Sequence, residues 1–539
     1  MGTKRSKAVA ALAVTVALTG QLAACSKGGQ TGSETSPQAS GSAQASVKPD
    51  ANGTAYPASM TYWVRGMPGL KNNGEMAMYK AMEKITGTKV EFQHPPNGQE
   101  TDQFNLMLVS GKLPDVIDYN WQSNYPDKAI AEGKILRLND LIDKYAPNLS
   151  QLFKDRPYIK REVMSAEGNM YVFPLIGDDP RLTVFCGPML RGDWLKKLNL
   201  EVPTTLDEWE KVLTAFRDND PNGNGKKDEI PLLYDVSNME YSIAFLGAYG
   251  ISYSFFQDGG KVKYGPYEPQ YKDFLTLMNK WYKAGLIDKD YMTVDDKLKD
   301  AKITGNQLGA TVGWLGGTLG KYMNLMKTKD PVFQLVGAPF PALAKGGKSI
   351  ANHDPIFYGI GAAISTSAKH PEQIAKWLDY AYGKEGHLLY NFGIEGESYT
   401  MVNGKPKFTD LIMKNPKGLS VSDALNQYTI MGSSGPFEFD ADGYEQYNTL
   451  TEQKEAQLNW TKADFGKLMP TVDMTADEQS RFSVIFADLE TYRKEMTNKF
   501  IMGAEPLDKF DDYLKTLKKL GIEEAIKLQQ TGYDRYLKR

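Results

Sequence analysis

The chain has 539 residues, a formal net charge of −3, and 11% aromatic residues. A chain of this length can bury a sizeable core and fold into two or three lobes. Lys and Arg are balanced by Asp and Glu and form no basic stripe, which excludes nucleic acid as a partner.

The N-terminal segment has the pattern of an export signal. Three basic residues lie within the first seven, and residues 8–18 are almost wholly Ala, Val and Leu. This run is too short to span a bilayer core, which needs roughly 20 residues. Residues 22–25, Leu-Ala-Ala-Cys, match the lipobox at which a diacylglycerol joins the cysteine thiol. We predict a signal peptide over residues 1–24 and lipidation of Cys25. The alternative is an ordinary signal peptide with a cysteine near its cleavage site.

The segment after the signal, residues 25–57, is composed mostly of Gly, Ser, Ala, Gln, Thr and Pro. Such a composition cannot bury enough apolar surface to fold, so it predicts a flexible tether. No later segment is long and apolar enough to cross a membrane, which leaves the lipid as the expected anchor. The second cysteine, Cys186, then has no disulfide partner, and its apolar neighbours predict a buried thiol.

The body begins with alternating strands and helices. The patterns predict strands over residues 60–64, 89–93 and 115–119, and helices over residues 75–86 and 101–110. This alternation is the start of an open α/β sheet, and the ligands of such sheets lie beyond the carboxyl ends of the strands. The loop after the third strand is polar and aromatic, so we expect it near a ligand.

Further helices follow along the chain. A threonine N-cap at residues 204–205 with a carboxylate three residues later predicts a helix to about Arg217. Residues 271–284 and 370–382 are two more, and residues 475–536 are mostly helical with a break near Gly503. Four tryptophans on helices have apolar neighbours and are predicted to lie in the core: Trp194, Trp209, Trp281 and Trp377.

Residues 218–229 fit the pattern of a calcium loop, D-x-[DN]-x-[DN]-G-x5-E. Calcium takes about six to eight oxygen ligands, which alternating Asp and Asn on a Gly-rich turn can supply. One register uses Asp218, Asp220, Asn222, the Asn224 carbonyl and Glu229. The other uses Asp220, Asn222, Asn224, the Lys226 carbonyl, Asp228 and Glu229. We expect a structural ion, because nothing nearby resembles reaction chemistry. The alternative is an Asx-rich turn without an ion.

No catalytic motif stands out in the sequence. None of the four histidines lies in a zinc-binding pair, and there is no nucleophile elbow, P-loop or dinucleotide fingerprint. Carboxylates are abundant, so a pair at the spacing of a glycosidase remains open, and a surface polysaccharide hydrolase is one alternative function.

Several short segments, taken in order and spacing, carry a family resemblance. They are residues 110–115, 191–195, 203–209, 220–225, 282–288, 392–396 and 532–536. In them the chain resembles the extracellular solute-binding lipoproteins of carbohydrate ABC transporters, family 1, of the LipO-like or LplA-like kind. The resemblance covers nearly the whole chain. One departure is Gly192, where a bulkier residue is expected.

The resemblance implies an α/β fold of the type 2 periplasmic-binding kind. In that fold two lobes close over a ligand, and the chain crosses the hinge more than once. We predict one lobe from residues 58–172 with 338–412, and the other from residues 173–337 with 413–539. The resemblance also favours the second calcium register, since related alginate-binding proteins hold calcium in a similar loop.

The function implied is capture of a sugar, with an oligosaccharide expected, and its delivery to the permease of an ABC importer. We expect no catalysis, a monomer, and a lipid-anchored position outside the cell membrane. Such sites stack sugar rings on Trp or Tyr and bind hydroxyls through Asp, Glu, Asn and Arg. The candidates are Trp121, Trp314, Asp118, Tyr119, Arg65, Glu397 and Tyr399. Besides a hydrolase, a sugar-sensing or adhesion lipoprotein is an alternative.

Overall fold

Two β-sheets, each covered by helices, form the body of the chain. The computed structural model describes residues 54–67, 69–430, 434–472 and 474–539. The predicted signal peptide, the lipidation site Cys25 and most of the predicted tether lie outside the described residues. Within the described ranges, no helix combines the length and the apolar composition needed to cross a membrane.

The strands of the described ranges are short. In chain order they are β1 Ser59–Trp63, β2 Lys89–Gln93, β3 Val116–Asn120, β4 Phe173–Ile176, β5 Cys186–Arg191, β6 Ile230–Leu232, β7 Phe255–Asp258, β8 Lys261–Tyr264, β9 Leu308–Trp314, β10 Leu335–Gly337, β11 Phe357–Ile364, β12 Tyr399–Val402, β13 Lys405–Phe408 and β14 Phe437–Glu438.

Helices fill most of the remaining chain. They are α1 Ala77–Thr86, α2 Glu100–Ser110, α3 Pro126–Ala131, α4 Asn139–Tyr145, α5 Pro147–Asp155, α6 Pro157–Val163, α7 Pro180–Thr183, α8 Gly192–Lys197, α9 Leu206–Asp218, α10 Val236–Ser242, α11 Gln270–Lys283, α12 Asp296–Thr304, α13 Lys321–Met326, α14 Pro371–Asp379, α15 Lys384–Phe392, α16 Asp410–Met413, α17 Val421–Leu425, α18 Ala441–Glu445, α19 Thr451–Trp460, α20 Ala476–Met502, α21 Phe510–Lys519 and α22 Ile522–Leu537.

The larger sheet has the strand order β14-β4-β11-β3-β1-β2. Strand β1 runs parallel to β2 and β3, whereas β11 runs antiparallel to β3 and β4. The smaller sheet has the order β10-β5-β9-β6. In it β5 is antiparallel to β10 and β9, and β6 is parallel to β9. We call the larger sheet with its helices the first lobe and the smaller sheet with its helices the second lobe.

Each lobe has its own hydrophobic core. The first core includes Tyr62, Phe104 and Trp377, and the second includes Trp194, Trp209 and Trp281. A third, smaller cluster lies under the β12–β13 hairpin. Separate cores allow the two lobes to move as units, because few buried contacts have to break when they do.

Most of the predicted elements are confirmed. Helix α1 ends at Gly87, whose φ of +73° is a left-handed conformation that glycine adopts without strain. Helix α9 begins with the predicted capping box between Thr205 and Glu208, and α20 ends at Gly503. The four tryptophans predicted for the core are all buried, and the thiol of Cys186 is buried as well.

The predicted lobe boundaries need three corrections. Strands β4 and β14 were assigned to the second lobe but pair within the sheet of the first. Residues 338–351 were assigned to the first lobe, yet Phe340, Ile350 and Ala351 pack in the second core. The physical reason is that strands of two to four residues carry no sequence signal for the sheet they join, because pairing partners lie far away along the chain.

Candidate ligand cleft and calcium loop

Three segments connect the two lobes and pack side by side. The first crossing follows β4, the second precedes β11 and the third follows β14. The backbone N–H of Asp354 donates to the Thr183 carbonyl over 2.8 Å, and that of Gly177 donates to the Ile356 carbonyl over 2.8 Å. The N–H of Phe439 donates to the Ile176 carbonyl over 2.9 Å. These bonds bring the three crossings together at one place, which is the expected arrangement of a hinge.

An aromatic group of the second lobe lies next to these crossings. The ring of Trp314, at the end of β9, has its centroid 4.7 Å from that of Tyr241 and 5.7 Å from that of Phe185. All three rings are only partly buried. The indole Nε1 of Trp314 donates to Asn238 Oδ1 over 3.0 Å, which holds the ring in place. An exposed aromatic face beside polar groups is suited to stacking on a sugar.

The chain around Trp314 leaves space for a ligand. A π-helical turn, Leu315–Gly320, follows the tryptophan directly, and its glycines Gly316 and Gly317 are exposed. Such turns occur often at functional sites. The Tyr241 hydroxyl donates to the Asp354 carboxylate on the second crossing, so the aromatic group is bonded directly to the hinge. Burial raises the pKa of Asp354, and the hydrogen bond from Tyr241 opposes that rise.

Of two cavities in the described chain, one reaches this region through Tyr241, and Trp314 lines neither. One, of about 240 Å³, is lined in part by Tyr241, Asn352 and Arg493. The other, of about 450 Å³, lies between the two lobes, with Gln122 and Tyr125 on one side and the segment before α20 on the other. Residues 468–469 line the first cavity and residues 471–472 line the second. The chain between α19 and α20 therefore passes both cavities.

The first lobe contributes polar and aromatic groups at the ends of its parallel strands. Tyr119 is partly buried, with its ring 4.3 Å from that of Phe104, and its hydroxyl lies 3.0 Å from Thr101 Oγ1. Arg65, after β1, is exposed. Both residues lie at the carboxyl edge of parallel strands, and their predicted role in ligand binding stays a prediction.

The predicted role of Trp121 as a stacking platform is wrong. Its side chain is 0% exposed, its ring packs against Phe104, and its Nε1 donates to the Ile117 carbonyl over 3.0 Å. The indole turns back into the core beneath β3, because an apolar ring of this size is more stable out of water. Asp118 is also buried, at 3% exposure, and accepts a hydrogen bond from Tyr62. It points into the core and not toward a ligand.

Tyr399 is also corrected as a ligand residue, whereas the predicted role of Glu397 stays a prediction. Tyr399 begins β12, is 4% exposed, and packs on Phe392 in the small third cluster. Glu397 is exposed on the turn before that hairpin. Neither lines either cavity. The glycine-rich turn that suggested a binding loop instead supports a hairpin.

Sequence reasoning missed several residues of the cleft, among them Tyr241, Asn238 and Arg493. The first two lie on the short helix α10, whose sequence contains no motif that marks a binding site. Arg493 carried one weak signal, since Glu490 precedes it by three residues on α20 and helical neighbours at that spacing pair. Its second partner, Glu240, lies far away along the chain and was not predictable.

The predicted calcium loop joins α9 to β6 and is tightly wound. Asp220 accepts hydrogen bonds from the backbone N–H groups of Gly223, Asn224 and Gly225 over 2.9–3.1 Å. Asp218 turns away and pairs with Arg217 over 2.7 Å. This geometry favours the register that starts at Asp220. Among the described residues, no three His, Cys, Asp or Glu side chains already converge as a metal site.

Glu229 gives the second indication of an ion. Both of its carboxylate oxygens are buried, and the described chain offers neither a well-formed hydrogen bond. Burial raises the pKa of Glu229, and the charges of Asp220 and Asp228 raise it further. A buried carboxylate beside two others is costly unless a cation joins them. The donor set of carboxylate, amide and carbonyl oxygens therefore fits calcium.

The family follows from comparison with known proteins. A model described as bacterial extracellular solute-binding protein matches residues 71–387, more than half of the chain. The chain belongs to this family. It is 27% identical over 485 residues to the fructooligosaccharide ABC transporter substrate-binding protein FusA of Streptococcus pneumoniae, covering 86% of this chain and 88% of FusA. It is 25% identical over 464 residues to lipoprotein LipO of Bacillus subtilis, covering 83% and 87% of the two chains.

Solved structures agree. The alginate-binding protein AlgQ2, in a structure without calcium ion, aligns with a TM-score of 0.68 and 28% identity over 89% of this chain and 99% of its own. FusA in complex with kestose aligns with a TM-score of 0.68 and 26% identity over the same shares. The predicted solute-binding family and the two-lobed periplasmic-binding fold are confirmed. These relatives are binding proteins and not enzymes, and they support a carbohydrate-binding role.

Proposed function

We propose that this protein captures an oligosaccharide between its lobes and delivers it to the permease of an ABC importer. The observation that carries the proposal is the position of the partly exposed Trp314. Its ring packs at a tilt against Tyr241, whose hydroxyl donates a hydrogen bond to Asp354 on the second crossing. A ligand that rests on Trp314 would touch both the binding surface of one lobe and the hinge. Sugar binding and lobe closure would then be coupled.

The mechanism is a shift of population and involves no covalent chemistry. A sugar that contacts both lobes binds the closed form better than the open form, and its differential affinity drives closure. The closed form would then dock on the permease. The three crossings pack together, so the hinge can bend without separate movements of each segment. The relatives FusA and AlgQ2 are named as binding proteins, which supports this proposal.

The ligand we propose is longer than a single sugar. The two cavities, of about 450 Å³ and about 240 Å³, are linked by the chain segment that lines both. A ligand that spans both cavities would hold several sugar rings in a row. The relatives whose names state a ligand support this length, since FusA is a fructooligosaccharide binder and AlgQ2 binds alginate.

We further propose that calcium binds the loop after α9. The ligands would be Asp220, Asn222, Asn224, the Lys226 carbonyl, Asp228 and Glu229. The ion would neutralise the buried Glu229 and join the loop to β6, which makes its role structural. Asp228 also accepts a hydrogen bond from Gln307 over 3.1 Å, so the ion would brace the loop against the start of β9.

The proposed location is the outer face of the cell membrane, where a lipid on Cys25 anchors the chain. We propose that the chain is a monomer. The lipobox at residues 22–25 and the likeness to lipoprotein LipO support this proposal. A tethered binding protein stays near its permease, which raises the effective concentration of loaded protein there. Metabolic labelling with a fatty-acid analogue would test it, with Cys25→Ser expected to remove the label.

Calorimetry with a panel of oligosaccharides tests the proposed function. We expect at least one oligosaccharide to bind, to raise the melting temperature, and to quench or enhance the fluorescence of Trp314. Small-angle scattering should show a smaller radius of gyration with the sugar than without it. A chain that binds no sugar and releases reducing ends from a polysaccharide would instead be the hydrolase considered above.

A further inference from the structure

Charged side chains around the cleft form clusters in which carboxylates outnumber cations. The clearest case is Arg493, which lines the smaller cavity and is only 1% exposed. Its guanidinium pairs with Glu240 over 2.7 Å and with Glu490 over 2.7 Å. Four of the five N–H groups that a guanidinium offers are used in these two pairs. The cluster has one positive and two negative groups.

A second cluster lies behind the stacking ring. Lys299 pairs with Asp235 over 2.8 Å and with Asp296 over 3.4 Å. Asp235 in turn accepts hydrogen bonds from Asn238, the residue that holds the Trp314 indole. This cluster also contains one cation and two carboxylates, of which Asp296 is 92% exposed to solvent. Asp235 is connected to the proposed sugar platform through a single amide side chain.

Two more clusters lie on the crossings. Arg156 pairs with Asp178 over 3.0 Å and also with Glu438. Arg181 pairs with three carboxylates, and one of these, Asp442, also pairs with Lys405 over 2.8 Å. The three partners of Arg181 are Asp179, Asp442 and Glu445. In each cluster the carboxylates exceed the cations by one.

We propose that this cleft accepts uncharged oligosaccharides and discriminates against those that contain uronates. The proposal rests on the carbohydrate-binding function proposed above and specifies its substrate class. A uronate carboxylate needs a cation, and the cations of these four clusters are already engaged by more carboxylates than they can neutralise. It would also be repelled by the excess charge, which water screens poorly inside a closed cleft. Uncharged sugar hydroxyls can donate to the same carboxylates.

Arg65 is a cation outside the four clusters, and a uronate carboxylate bound to it would contradict the proposal. It is an exposed cation at the end of β1, on the first-lobe side. Backbone N–H groups lower the pKa of the nearby Glu100, and the charge of Arg65 adds to that effect, so the two side chains already interact. If the cleft bound uronates after all, Arg65 and Lys128, which lines the larger cavity, would be the described cations to meet their carboxylates.

Calorimetry on the purified chain tests the preference. The probes are kestose, maltotriose and xylotriose as neutral sugars, and trigalacturonate and triguluronate as acidic ones. At about 20 mM NaCl we expect the best neutral trisaccharide to bind at least about 100-fold more tightly than either uronate. The gap should narrow at about 300 mM NaCl, because salt screens the repulsion.

A charge variant sharpens the test. Glu490→Gln removes the excess charge beside Arg493 and should raise the ratio of uronate to neutral-sugar affinity about tenfold. The matched control is Glu524→Gln, an exposed carboxylate paired with Arg481 that lines neither cavity. It should leave the ratio as it is. No change of the ratio in Glu490→Gln would contradict the proposal.

The outcomes separate this inference from the proposed function. Uronates that bind as tightly as neutral sugars would overturn the selectivity and leave carbohydrate capture intact, and the variants Arg65→Gln and Lys128→Gln would show which cation binds them. If neither class of sugar binds, the proposed function is overturned and the selectivity with it. A neutral sugar that binds while both uronates fail supports both.

Discussion

The rings of Trp314 and Tyr241 lie with their centroids 4.7 Å apart and their planes at 41°. All eight tryptophans of the chain lie in the described ranges. Seven of them are buried, and Trp314 alone among them is partly exposed. The pair therefore exposes aromatic surface where the lobes meet. Its position beside the hinge makes it the place where a ligand can influence closure.

We expect Trp314→Ala to weaken sugar binding at least about tenfold, because a stacking ring and its contact with Tyr241 are both removed. Calorimetry with the best sugar of the panel measures the loss. The stability of the protein without sugar should fall by less than about 2 kcal/mol, since the ring is only partly buried. Tyr282→Ala is a matched control, because this partly buried ring of α11 packs against Tyr291 and not against Trp314 or Tyr241. Unchanged affinity in Trp314→Ala would remove this residue from the site.

Trp121→Ala should show the opposite behaviour. Its fully buried indole fills the core of the first lobe, so truncation should lower the free energy of unfolding by about 3–5 kcal/mol. Denaturant unfolding measures this change. The folded fraction should still bind sugar with nearly the same affinity as the natural chain. A normal melt combined with lost binding would show that the indole reaches the ligand.

The calcium loop gives a third prediction. A chelator should lower the melting temperature, because the buried carboxylate of Glu229 would lose its counter-charge, and added calcium should restore it. Glu229→Gln should make the melt insensitive to calcium, whereas Asp218→Asn should respond like the natural chain, since Asp218 pairs with Arg217 outside the loop. Magnesium is the ionic control, because it prefers a smaller and more regular octahedral site. A melt that ignores calcium in the natural chain would rule the ion out.

Asp118 predicts a dependence of stability on pH. Burial raises the pKa of its carboxyl to about 8, against opposing hydrogen bonds from Tyr62 and the Gly435 backbone. A pKa that is raised on folding stabilises the folded chain below the unfolded value of 3.8, and this contribution is lost as pH rises to about 8. The advantage of the natural chain over Asp118→Asn should therefore shrink by several kcal/mol between pH 4 and pH 8.

Urea unfolding across that pH range measures the effect. Asp379 provides a comparison, because burial raises the pKa of its carboxyl only to about 6. The contribution of Asp379 should thus end about two pH units earlier. If Asp118→Asn follows the same pH profile as the natural chain, the Asp118 carboxyl is ionised in the folded protein throughout the range.

Part of the fold could be predicted because local patterns determine it. The capping box at Thr205, the helix end at Gly87 and the alternation in β2 depend on neighbours a few residues away. The calcium loop could be predicted for the same reason, since all its oxygens come from one turn. The assignment of residues 173–176 and 437–438 to a sheet could not, because their partners lie far along the chain.

The candidate site divides in the same way. The sequence by itself determined the export pattern, the family resemblance, the calcium-type loop and the choice of Trp314 as a candidate, since it lies in a glycine-rich run. Only the tertiary structure decided that Trp121 faces the core, because a strand and the loop after it can turn a side chain to either face of the sheet. Tertiary structure also decided that Glu240 pairs with Arg493 beside the cleft, because these two charges are far apart in sequence and come together only when the lobe folds. Glu490 lies three residues before Arg493 on the same helix, so that pair is local.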